Sequence, residues 1–60
     1  MSDENVIEKV LTYIDDHIEE ELSLDTIAAV FNYSKFYMAR IFAKRTGYTI
    51  YKYIQGRRLT

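Results

Sequence analysis

Sixty residues can form one small domain or a piece of one, and a chain of that size buries only about 60% of its unfolded surface. With no cysteine, neither disulfides nor a thiolate metal site can add stability, and the composition fits a reducing cytoplasm. The formal net charge of -1 conceals a split: every Asp and Glu lies at or before Asp25, and only basic charges follow.

Residues 1–30 hold all nine acids against Lys9 alone, while residues 31–60 hold seven Lys or Arg. Such a division is an electrostatic statement about a partner, and nucleic acid is the first candidate. No apolar run is long enough to span a bilayer. Proline is absent and glycine occurs only at Gly47 and Gly56, the punctuation of a helical protein. An all-α fold of three or four helices is predicted.

The first helix is predicted from about Glu4 to about Glu20. Val6, Ile7, Val10, Leu11, Ile14 and Ile18 recur at helical spacing and form one stripe. Ser2 or Asp3 is the candidate cap, with carboxylates in the first turn. The run "DDHIEEE" ends that helix badly, because acids repel the negative end of its dipole. It reads as a solvated face and loop entry. A metal site on His17 with Asp16 or Glu20 is the sharper alternative, but a lone histidine with flexible carboxylates makes a poor closed site, and no metal is expected.

The second helix starts at "SLDTIAAVF", where Ser23 can cap the amides of Asp25 or Thr26. Leu24, Ile27, Ala28 and Phe31 share one face, and Asn32 tolerates the left-handed backbone that a helix end often needs. Only Asn32 and Tyr33 separate this helix from the next cap, Ser34. Two short helices joined so closely must cross steeply, which is a helix-turn-helix.

The third helix is predicted from Lys35 to about Thr46, with Gly47 as its stop. Its inward side is Tyr37, Met38, Ile41, Phe42 and the stem of Arg45. Its outward side is Phe36, Ala39, Arg40, Ala43 and Lys44. Small residues allow close approach to a groove floor, and Arg can reach a guanine edge with two parallel hydrogen bonds. An acid-free surface is what phosphates require. Thr49 can cap a fourth helix from Ile50, with Ile50, Tyr53, Ile54 and Leu59 on one side and Gly56 in its interior.

The landmarks "LSLDTIA", "YSKFYMARIF", Thr46-Gly47 and "YIQGRRL" resemble the first half of the AraC/XylS-family DNA-binding domain, over Leu22 to Leu59. The resemblance implies a bacterial transcription regulator, usually an activator, acting in the cytoplasm on double-stranded DNA, with RNA polymerase as a partner of the full regulator. It implies two helix-turn-helix units joined by a long helix. This chain would supply the first, a homeodomain-like three-helix unit at about 24–46, and the start of the joining helix from about 50. The start at Met1 is most like family members that place this domain first. The family's base-reading positions fall on Phe36, Ala39 and Arg40, and Ser34, Lys35 and Lys44 would lie by the backbone. Two residues depart from the pattern. Ala39 can touch only a thymine methyl, and Gly56 replaces a helix-favouring residue.

Two readings from different classes remain, a DNA-binding module and a helical protein-interaction module. An enzyme is not expected, because nothing pairs with His17 and no glycine loop cradles a phosphate; no cofactor is expected either. If the fourth helix lacks a covering unit, its face of Ile50, Tyr53, Ile54 and Leu59 predicts weak self-association.

Overall fold

Four helices follow one another as α1 (Asp3–Asp16), α2 (Leu24–Val30), α3 (Lys35–Thr46) and α4 (Ile50–Leu59) in a computed structural model that describes residues 3–59. The candidate cap Ser2 and the side chains of Asp3, Glu4 and Leu59 lie outside the described residues. No strand occurs among the described residues, so the all-α prediction holds.

All four helices feed one core. Val6, Ile7, Val10 and Ile14 come from α1, Ile27 and Ala28 from α2, Met38, Ile41 and Phe42 from α3, and Ile50 and Ile54 from α4. Burying one such large side chain contributes about 1.5–3 kcal/mol. No polar side chain is buried among the described residues.

The first helix is shorter than its apolar stripe suggested. It ends at Asp16, and residues 17–20 form a turn. The His17 amide is shared between the carbonyls of Tyr13 and Ile14, at 3.1 and 3.2 Å, and the helix tightens and stops. The cause is charge. Continuing would stack Asp15 on Glu19 and Asp16 on Glu20 at i, i+4 spacing, beside carbonyls that already carry negative charge. Ile18 still packs against the core from the turn.

The turn between α2 and α3 is built from backbone. Ser23 Oγ accepts the Thr26 amide at 3.1 Å and opens α2. At its other end Asn32 adopts a φ of 65°, while the amides of Tyr33 and Asn32 donate to the carbonyls of Ala28 and Ala29 at 2.9 and 3.2 Å. This reciprocal pair is a Schellman closure, with asparagine in the left-handed position that glycine more often fills. Ser34 Oγ then accepts the Tyr37 amide at 3.1 Å and starts α3. Gly47, at φ 82°, ends it.

One inward assignment on α3 does not hold. Tyr37 is exposed, with its ring 5.4 Å from that of Tyr33, while Arg45 reaches across to Glu8 of α1 with its side chain about half exposed. The buried stripe is only as wide as Met38, Ile41 and Phe42, and each residue step rotates about 100° around the helix, which carries Tyr37 past its edge.

Thr49 Oγ1 accepts the Lys52 amide at 3.1 Å and opens α4. Ile50 and Ile54, expected to lack cover, are each 4% exposed within the chain's own core. Tyr53 is half-buried, edge-on to Phe42. The apolar face expected to drive self-association is thus already occupied at these three residues.

A candidate nucleic-acid interface on the third helix

A helix that buries one narrow stripe leaves the rest of its circumference to solvent. Phe36 stands 78% exposed at the N-terminal end of α3, with Lys35 Nζ 5.5 Å from its ring centroid. Ala39 is half-buried, whereas Arg40, Ala43 and Lys44 are exposed. Phe36, Arg40 and Lys44 follow at four-residue steps and therefore share one side. The sequence-predicted outward set is brought together on one helix face, with Ala39 at its margin.

The four cations of α3 fall into two pairs. Lys35 at the start lies 3.8 Å from the Asp25 carboxylate, and Arg45 near the end lies 3.5 Å from that of Glu8. Arg40 and Lys44, between them, have no ion pair among the described residues. The paired groups are about half exposed or more, so each link contributes about 0–1 kcal/mol and can be exchanged for another anion. Among the described residues, no acid neutralises the central cations.

Ser34 has a structural task that its candidate role by the DNA backbone did not include. Its hydroxyl oxygen caps α3, although its O–H remains a donor. The contact between Asp25 and Lys35 was missed by reading the sequence. The available signal was that Asp25 is the last acid of the chain and lies in the first turn of the preceding helix.

Elsewhere, His17 stacks on Tyr13 with ring centroids 4.0 Å apart, and its Nδ1 lies 2.8 Å from the Tyr13 carbonyl oxygen. No group of three or more potential metal ligands occurs among the described residues. No described helix is long and apolar enough to cross a membrane.

The model of the bacterial regulatory helix-turn-helix proteins, AraC family, matches residues 14–55, which run from the last turns of α1 into α4. The chain belongs to the AraC family. Its relatives include the regulatory protein SoxS of Salmonella typhimurium, 39% identical over 59 residues, covering 98% of this chain and 55% of the relative. The right origin-binding protein of Escherichia coli K12 and the transcriptional regulator Rob of Salmonella typhimurium are each 38% identical over 60 residues, covering 100% of this chain and 21% of the relative. The chain thus spans about half the length of the SoxS proteins and a fifth of the other two. No solved structure matches it significantly. The matched region of this AraC-family chain contains the whole Ser23–Thr46 helix-turn-helix, so family and geometry point to the same element.

Proposed function

We propose that the chain is the first helix-turn-helix unit of an AraC-type DNA-binding domain, and that α3 enters the major groove of double-stranded DNA. The observation that carries this reading is the pairing pattern on α3. Arg40 and Lys44 stand exposed and without an acid partner among the described residues, on the same side as the 78% exposed Phe36. In this reading Arg40 hydrogen-bonds a base edge, while Phe36 and Ala39 offer apolar contact to thymine methyl groups. Ser34, Lys35 and Lys44 meet the sugar-phosphate backbone and fix the register.

α4 continues in this reading into a helix that joins a second unit. The full regulator acts in the bacterial cytoplasm as an activator that also engages RNA polymerase, and it performs no catalysis. One unit supplies only part of the contacts. Binding by these sixty residues falls near the non-specific range, about 10⁻⁴–10⁻⁶ M at physiological salt.

The test is titration of a labelled duplex by fluorescence anisotropy across a salt series. A linear fall of log K with log salt supports phosphate contact, each contact adding about 0.9 to the slope. Absence of duplex binding at low salt would reject the reading and favour a protein-docking role for the helical unit.

A further inference from the structure

The exposed cations of α3 are not equally available: Asp25 and Glu8 each pair with one of them, and Asp25 does so beside the proposed reading face. Asp25 sits in the first turn of α2, two residues after the capping Ser23, and its carboxylate is 3.8 Å from Lys35 Nζ. The same Lys35 lies 5.5 Å from the ring of Phe36, the exposed aromatic of the proposed reading face. An acid therefore stands one lysine head away from the surface that must meet a polyanion.

The backbone of each partner is held in place. Asp25 is fixed by the Ser23 cap behind it and the buried Ile27 and Ala28 ahead. Lys35 is fixed by the Ser34 cap, which sets the start of α3. Both side chains are also well exposed, Lys35 by 50% and Asp25 by 74%, so their link is of the weak, exchangeable kind. Asp25 suits its own helix, because a carboxylate in the first turn favours the helix dipole. What benefits α2 opposes the polyanion.

We propose that Asp25 competes with DNA phosphate for Lys35, and so weakens binding to every duplex irrespective of sequence. The inference rests on α3 being the DNA-facing helix. A lysine that arrives with its own carboxylate brings no net charge to the phosphates and releases few of their counterions. Freed of Asp25, the same lysine releases about 0.9 of a counterion. Asp25 is thus a governor on non-specific adhesion, acting through Lys35 without touching a base.

The experiment compares random-sequence duplex binding across a salt series for the wild-type chain, Asp25→Asn, Lys35→Gln and the double variant. Asp25→Glu serves as a rescue, and Asp16→Asn makes the same change in net charge on α1. Asp25→Asn is expected to bind about two- to fivefold more tightly at 0.1 M salt and to steepen the slope by about 0.9. Asp25→Glu should return to wild type, and the gain should vanish in the Lys35→Gln background. A gain no larger than that of Asp16→Asn, or one that survives without Lys35, overturns the proposal. A wild-type chain that binds no duplex at low salt overturns the DNA-facing reading itself, an outcome seen before any variant is compared.

Discussion

The Arg57 guanidinium and the Asp15 carboxylate, 42 residues apart in sequence, meet at 3.0 Å and tie α4 to α1. The next residue acts on the same junction differently, because Arg58 donates to the main-chain carbonyls of Ile18 and Glu20 in the turn after α1. α4 is thus fastened to the end of α1 through an ion pair, and to the acidic turn that follows through charge-to-carbonyl hydrogen bonds.

These two fastenings should respond differently to salt. Asp15→Asn is expected to cost no more than about 1 kcal/mol, declining as salt screens the exposed pair. Arg58→Ala should cost about 1–2 kcal/mol with little salt dependence, because the guanidinium satisfies carbonyls and does not merely face a charge. Urea denaturation at low and high salt distinguishes them, and an equal salt response from both variants would contradict this division.

Gly56 lies inside α4, and a Cβ built there meets no atom within 4 Å. No close approach or left-handed backbone accounts for a glycine at this place. Gly56→Ala should stabilise the chain by about 1 kcal/mol through helix propensity alone. An unchanged or lowered urea midpoint would show that the residue has a role its surroundings do not reveal.

The core tolerates less. Met38 and Phe42 are both fully buried, and truncation to Ala costs about 2–5 kcal/mol at such sites. A sixty-residue chain has only about 3–9 kcal/mol at the usual 0.05–0.15 kcal/mol per residue. Phe42→Ala is therefore expected to lose about half of that stability and to melt roughly 10 °C or more below the wild type by far-ultraviolet circular dichroism. A sharp, native-like melting transition close to the wild type would contradict a single shared core.

On the proposed reading face, Arg40→Ala should cost about 1–3 kcal/mol on the specific site of the complete regulator and relax discrimination at one base pair. Lys44→Ala should weaken all duplexes alike and lower the salt slope by about one. Equal losses on specific and random duplex for Arg40→Ala would reassign that residue to phosphate.

What the sequence disclosed followed from strong local chemistry. The starts of α2, α3 and α4 were legible because Ser23, Ser34 and Thr49 are capping residues placed just ahead of helical patterns, and all three accept the expected amides. The end of α3 was legible because Gly47 takes a positive φ. The end of α1 was not, because the periodicity continues through Ile18 while the acids around it stop the helix. Tyr37 was misplaced for a related reason. A helical projection ranks residues by face, but only the neighbouring helices decide how wide the buried stripe becomes. Phe36, Arg40 and Lys44 were found to be exposed as predicted, but the partition of cations into paired and unpaired depends on Asp25 and Glu8, which belong to other helices. No pattern within α3 could reveal it.

The angle between α2 and α3 is held by main-chain hydrogen bonds of Asn32 and Tyr33 and by the buried Met38, Ile41 and Phe42. None of these is among Phe36, Arg40 and Lys44. Scaffold and proposed reading surface are therefore separable components of one helix. Under the proposed function, new side chains at Phe36 and Arg40 change which bases are met, and a new one at Lys44 changes how strongly phosphate is held, without disturbing the buried stripe. A single helix carries both the part that must not change and the part that is free to.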